Sequence, residues 1–340
     1  MDDMKTITIK DVAREAEVST ATVSRTLNEN YPVSKETKKR VYEAIRKLNY
    51  SPNAIARSLK RNKTKLVGFV VGDISNPFFM QIARVIEDEM RSRGYNMIMA
   101  VTHEDEKLEK KLLKTLLEKR VDSVVIAPCG NSSKEISKLI KNNIDIVVID
   151  RKIEGLNVDI VIEDNVSSSF KLIEHIIKKG HRKIAIVNGK MNVSTGVDTF
   201  LGFKAAMAHY NIDIIDEYVL YGEFRTKKSY EEVKRLLSNN SIENPTAIFA
   251  ANNRIAEGVL MAIEEMALRI PDDISLVSYG EIGLAQLVEP KLTVLQQDPK
   301  TIGEIASRIL IEKINGKLKG GFKEYIIYPE MYLGDSVKEM

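Results

Sequence analysis

Residues 19–28 read Ser-Thr-Ala-Thr-Val-Ser-Arg-Thr-Leu-Asn, and their spacing suggests a specific chemistry. Wound as a helix, they put Val23 and Leu27 on one face and Thr20, Ala21, Ser24, Arg25 and Asn28 on the other. Short hydroxylated side chains around one guanidinium suit a helix that enters the major groove of duplex DNA. There an arginine can take the O6 and N7 of a guanine together. The same face would also suit the solvent side of a three-helix protein-interaction module. A second group of candidates follows apolar runs further along. Asp73, Asn76, Phe78 and Phe79 come after the run at 66–71, and phenyl rings can stack on the apolar face of a sugar or base. At least one of the two rings is expected to fill core instead. Arg151 follows Asp150, and Asn252 precedes Asn253, both after Val/Ile-rich runs.

The elements that must position residues 19–28 are three short helices. Thr8 caps the first, with Asp11 three residues on, and Ile9, Val12, Ala13 and Ala16 form its apolar stripe. Ser19 caps the second after the break Glu17-Val18. Ser34 caps the third, whose inner face is Val41, Ala44, Ile45 and Leu48. Two helices at a tight turn, closed by a third, make a helix-turn-helix unit. Ser51-Pro52-Asn53 then starts a further short helix through Ala56 to Leu59. About eight residues are too few for a stable isolated helix, so it forms only when something packs on it. Ile55 and Leu59 can serve a dimer axis and a minor-groove wedge, or they can belong to a plain linker that touches the body.

Bulk properties narrow the classes. The 340 residues are 44% hydrophobic and 29% charged, the balance of a soluble protein with one small and one larger domain. No apolar run approaches the roughly 20 residues of a spanning helix. The polar start Met1-Asp2-Asp3-Met4-Lys5 is unlike a signal peptide, and the single Cys129 fits a reducing compartment, so a cytoplasmic location without membrane contact is expected. Residues 1–62 hold 13 Lys/Arg against 8 Asp/Glu, and the remainder hold 38 against 40. A basic head on a slightly acidic body points the head toward a polyanion.

From Lys65 the pattern becomes apolar strands alternating with amphipathic helices. Strands are expected at 66–71, 96–101, 123–128, 144–150, 184–188, 219–221, 247–251, 275–278 and 325–333. Leu108, Leu112, Leu113, Leu116 and Leu117 mark the inner face of one intervening helix. The fold class is therefore α/β: an all-α helix-turn-helix head, then a body of two doubly wound parallel-sheet lobes with a cleft between strand ends.

The segments Thr8-Ile9-Lys10-Asp11-Val12-Ala13, Val18 to Asn28 and Ser51 to Leu59 closely resemble the head and hinge of the lactose/galactose-repressor family. In the body, Asn76-Pro77-Phe78-Phe79, Asp150-Arg151, Gly180-His181-Arg182, Gly202-Phe203, Asn252-Asn253 and Leu292-Thr293-Val294 continue the resemblance. It implies a periplasmic-binding-protein-like (type I) sensor on a DNA-binding head. The domains implied are a head at 1–50, a hinge at 51–63 and a body at 64–340. The body divides into one lobe at about 64–162 plus 291–323 and another at about 163–290 plus 324–340. The resemblance places Thr20, Ala21 and Arg25 at base-reading positions and Leu59 at the minor-groove lever. Thr8, Lys10, Ser19, Thr22, Ser24, Asn28 and Ser34 take phosphate-facing or supporting positions, and Asn53 and Ala56 lie on the hinge. Candidate effector contacts are Asp73, Asn76, Phe78, Phe79, Arg151, Thr199, Asn252, Tyr279 and Glu281.

The chain departs from the family pattern where many sugar-sensing members carry an arginine (Thr199 here) and a Gly-aromatic-Asp-Asp run (Ser278-Tyr279-Gly280-Glu281 here). Asn253 also replaces a common aspartate. These departures leave the effector open among sugars, sugar derivatives and nucleobases. The expected partners are a near-palindromic double-stranded operator, that effector and a second copy of the chain. A regulator that answers to a partner protein, or a solute-binding protein, are the alternatives. Neither a nucleotide-binding glycine motif nor a nucleophile elbow occurs, and the four histidines lack ligand spacing, so no enzyme activity, cofactor or metal is expected.

Overall fold

The computed structural model describes residues 7–28, 32–50, 63–283, 285–287, 289–316 and 321–340. The chain divides into two compact units, Met1–Thr64 and Lys65–Met340. The hinge positions Asn53, Ala56 and Leu59 lie outside the described residues.

The first unit holds α1 (Ile9–Glu15), α2 (Thr20–Asn28) and α3 (Lys35–Lys47). Its caps follow from the sequence. The Thr8 backbone N–H and hydroxyl donate to Asp11 Oδ2 at 2.9 and 2.6 Å, the returning half of a capping box. Ser19 Oγ accepts from the Thr22 N–H at 3.1 Å, and Ser34 Oγ accepts from Thr37 at 3.2 Å. Val12, Ala13, Ala16, Val23, Val41 and Ala44 form the small buried core.

The second unit contains two six-stranded sheets. The first is ordered β11-β5-β4-β3-β1-β2 and is parallel throughout. Its strands are β1 (Leu66–Val71), β2 (Asn96–Val101), β3 (Ser123–Ile126), β4 (Asp145–Ile149), β5 (Asp159–Glu163) and β11 (Glu324–Ile327). Helices α4 (Pro77–Arg91) and α11 (Pro299–Ile314) cover one face, while α5 (Glu106–Glu118) and α6 (Ser133–Lys141) cover the other. The second sheet is ordered β12-β10-β9-β8-β6-β7, parallel except for the antiparallel β12–β10 pair. It comprises β6 (Ile184–Asn188), β7 (Val219–Tyr221), β8 (Ala247–Ala250), β9 (Ser275–Tyr279), β10 (Thr293–Gln296) and β12 (Glu330–Tyr332). Helices α7 (Asn165–Lys178) and α8 (Ser194–His209) lie on one side, α9 (Thr226–Leu237) and α10 (Asn253–Glu265) on the other. Both lobes are doubly wound, as the strand–helix alternation predicts.

Three features differ from the sequence reading. β5 was not expected, because Asp159 interrupts its apolar run. That carboxylate is buried, with Lys313 Nζ 2.7 Å from Oδ2 as its counter-charge and the Lys323 N–H donating to Oδ1 at 3.1 Å. β10 likewise shows in the sequence only as the signature Leu292-Thr293-Val294. The single strand expected at 325–333 is two, β11 and β12, because the chain turns between sheets at Pro329 and a proline cannot donate to a ladder. The expected lobe boundaries shift accordingly. Residues 293–296 belong with the second sheet and 324–327 with the first, so the chain crosses between lobes at 163–164, 297–298 and 328–329. Among the described residues no helix is long and apolar enough to cross a membrane.

Two glycines set the helix spacing in the second lobe. A methyl on Gly202 of α8 would collide with the Val166 carbonyl of α7, and one on Gly258 of α10 with the Thr226 carbonyl of α9. Alanine in a helix interior would favour folding by about 1 kcal/mol. Overpacking against a backbone carbonyl costs about 1–3 kcal/mol and should win. Gly258→Ala is therefore expected to lower the urea midpoint, and an unchanged or higher midpoint would show that α9 and α10 can part freely.

Candidate functional site

In the first unit, the Ser19 cap fixes where α2 begins, and the core fixes its rotation. Val23 and Thr26 are fully buried, with the Thr26 hydroxyl donating to the Thr22 carbonyl at 3.0 Å. Thr20, Ala21 and Arg25 are therefore left exposed, and Thr22 and Ser24 half-buried. Asn28 closes the helix. Thr8 and Lys10 are exposed at the start of α1, and Ser34 at the start of α3. Small residues and one arginine on an outward helical face are what a base-reading element requires.

In the second unit, the strand ends enclose a cavity of about 580 Å³, counting its open mouth. Asp73, Asn76, Phe78, Phe79, Arg151, Thr199, Asn252 and Tyr279 all line it. Glu281 does not. Gly280, at φ +85°, bends the chain just after β9, and Glu281 emerges exposed with Gln296 Nε2 donating to it at 3.2 Å. Two of the lining asparagines are also caps. Asn76 Oδ1 accepts from the Phe78 N–H at 3.0 Å, and Asn252 Oδ1 from Ile255 at 2.8 Å. Phe78 and Phe79 meet edge to face at 5.2 Å, and both belong to the buried core while bordering the cavity.

Further lining residues escaped the sequence reading: Glu104, Asn165, Thr195, Phe224, Arg254 and Gln297. The first of these matters most. Arg151 donates Nη1 and Nη2 to the two oxygens of Glu104, each at 2.8 Å, and both side chains are buried. Phe224 lies over the guanidinium at 5.0 Å. Glu104 and Phe224 occupy equivalent loops in the two lobes, β2–α5 and β7–α9, and both have positive φ, +58° and +60°. A glycine at the end of each lobe's first strand receives them. A methyl on Gly72 would collide with Glu104, and one on Gly189 with the Phe224 ring. Asp150, at φ +65°, is a third lining residue in this costly region, and such strain concentrates at functional sites.

The lobes touch across the cavity. Asn253 Nδ2 donates to Asn76 Oδ1 at 2.9 Å, and Arg254 Nε stands 3.6 Å from Asp73. Lys190 Nζ donates to the Glu104 carbonyl at 2.5 Å. Behind the cavity, Glu163 joins two of the chain crossings. It accepts from Gln297 Nε2 at 2.8 Å, from the Asp298 N–H at 3.3 Å and from the Tyr279 hydroxyl at 3.3 Å. Burial among these neutral donors pushes its carboxyl up to about 7. Burial likewise lifts Asp150 to about 6, against the opposing pull of Arg151. Among the described residues no cluster of three or more acidic, His or Cys side chains could hold a metal ion.

Known proteins place this geometry. Residues 8–53 match bacterial regulatory proteins of the lacI family, and residues 64–328 match the periplasmic binding proteins and sugar-binding domain of that family. The chain is 35% identical over 337 residues to the HTH-type transcriptional repressor PurR of Haemophilus influenzae (strain PittEE), covering 98% of this chain and 99% of that protein. It is 34% identical over 312 residues to the repressor of the same name from Aliivibrio fischeri (strain MJ11), covering 91% and 92%. Among solved structures, the lac repressor dimer bound to operator and an anti-inducer shares the fold, with TM-score 0.83 and 24% identity over 98% of this chain and all of that one. A LacI family regulator from Enterococcus faecium with bound ribose superposes with TM-score 0.72 and 26% identity, covering 81% of this chain and 99% of that one. With a helix-turn-helix head, a two-lobed body and relatives that match nearly end to end, the chain belongs to the LacI family of DNA-binding transcriptional regulators.

Proposed function

We propose that the protein is a cytoplasmic repressor that acts as a homodimer, with two heads reading the half-sites of a near-palindromic operator under control of a small effector. Thr20, Ala21 and Arg25 are the base readers. Thr8, Lys10, Ser19, Thr22, Ser24, Asn28 and Ser34 face or support phosphate contacts, and the hinge at 51–63 follows the head at 1–50. The observation that carries this reading is the rotation of α2, which buries Val23 and Thr26 and leaves Thr20, Ala21 and Arg25 outside.

The effector sits in the cavity between the lobes. The buried Thr195 hydroxyl lines that cavity and has no hydrogen-bond partner among the described residues, which suits an incoming polar ligand. Aromatic side chains beside amides, hydroxyls and carboxylates fit a sugar, a sugar derivative or a nucleobase. The relatives are named as repressors, and this reading gives the chain no catalytic role. Ligand binding between lobes joined by three crossings would shift their angle and so bias the hinge.

Selection of duplexes from the protein's own genome, followed by fluorescence anisotropy, tests the DNA reading. Affinity for the selected duplex should fall steeply with salt as basic head residues release phosphate counter-ions. A flat salt response, or no selected duplex, would reject it. A thermal-shift screen with neutral sugars and nucleobases tests the effector site, since a true ligand stabilises by mass action.

A further inference from the structure

The Arg151 guanidinium is the strongest anion-binding group in the cavity, and this chain has already engaged it. Nη1 donates to Glu104 Oε2 at 2.8 Å and to the Pro128 carbonyl at 3.2 Å. Nη2 donates to Glu104 Oε1 at 2.8 Å, and Nε stands 3.3 Å from Asp150 Oδ2. Phe224 closes one face. A carboxylate or phosphate ligand would take the paired N–H groups that Glu104 holds, because two parallel bonds are the geometry an arginine offers. The second cation, Arg254, is more exposed and held from one side: Nη1 is 2.5 Å from Glu257, with Nε 3.6 Å from Asp73. The lining carboxylates Asp73, Glu104 and Asp150 outnumber the lining cations Arg151 and Arg254.

Glu104 is not placed to step aside. Its backbone is left-handed, its carboxylate fills the space that Gly72 leaves, and Lys190 of the other lobe holds its carbonyl. Releasing it would move the whole turn after β2. We propose that Glu104 is a built-in counter-ion occupying the anion seat on Arg151, so that this cavity takes an uncharged, donor-rich effector and not a carboxylate or phosphate. The proposal rests on the cavity being the effector site, which the screen with neutral compounds tests separately.

The experiment uses the full chain and inorganic phosphate, titrated against sodium chloride of equal ionic strength while thermal unfolding is followed. The wild type should show no saturable stabilisation. Glu104→Ala vacates the seat and frees the paired N–H groups, and should gain a saturable rise of about 3 °C at about 10 mM phosphate. Glu104→Ala combined with Arg151→Gln should lose that gain, which separates the cavity from any phosphate held by the basic head. A folded Glu104→Ala variant that ignores phosphate overturns the proposal. So does wild-type stabilisation that Arg151→Gln removes. Should Glu104→Ala fail to fold, the wild type and Arg151→Gln alone still decide, since equal indifference to phosphate supports the counter-ion role.

Discussion

Arg25→Ala is expected to collapse the protein's preference for its operator while leaving background DNA binding nearly intact. One bidentate arginine–guanine pair discriminates by about 1–3 kcal/mol, and a two-headed dimer makes the contact twice, so specific affinity should fall about 30-fold or more. Binding to random duplex depends on phosphate neutralisation, and one exposed charge among the many of the head changes that term little. The ratio of operator to random-duplex affinity, measured by anisotropy at fixed salt, is the decisive quantity. Equal losses on both duplexes would mean that Arg25 is a phosphate contact and that α2 does not read bases through it. The fold should survive the change, because Arg25 is exposed and the helix is anchored by Val23 and Thr26.

Glu163→Gln is expected to change how stability responds to pH. In the unfolded chain this carboxyl ionises near 4.5, whereas burial holds the folded one up to about 7. Between those values the folded state keeps a proton that the unfolded state has lost, so each pH unit gained costs stability. The whole interval costs on the order of 3 kcal/mol, and the curve levels above about 7. Asp150 adds loss of the same sign up to about 6. Glutamine cannot ionise, so the variant should lose less stability than the wild type between about pH 5 and 8. It should start lower at acid pH, where its amide meets the donors that the carboxyl oxygens now accept from. Urea midpoints at several pH values give the comparison, and parallel curves would show that Glu163 titrates normally.

The legible parts of the molecule were those written in local chemistry. The caps Thr8, Ser19 and Ser34 and the stripes they precede specify the head almost completely, because each signal lies within one turn of what it controls. The Val/Ile runs gave most strands for the same reason. β5 was hidden because Asp159 breaks its run, and its neutralising partner Lys313 is far along the chain. At the cavity, residues that directly follow strands, such as Asp73, Asn76 and Arg151, could be anticipated from strand ends alone. Glu104 and Phe224 could not, since a non-glycine residue with positive φ has no sequence mark, and Gly72 and Gly189 declare their purpose only when the loops fold over them. Glu281 stands outside the lining of this cavity, beyond the turn at Gly280 that the letters do not show.

Gly72 with Glu104 and Gly189 with Phe224 are the same station built twice, once in each half of the body. Each half thus carries one side chain on a common mount, acidic on one side and aromatic on the other. Because the acidic side chain pairs with the Arg151 guanidinium and the aromatic one covers it, a change at either station is felt at the same group from opposite halves of the body.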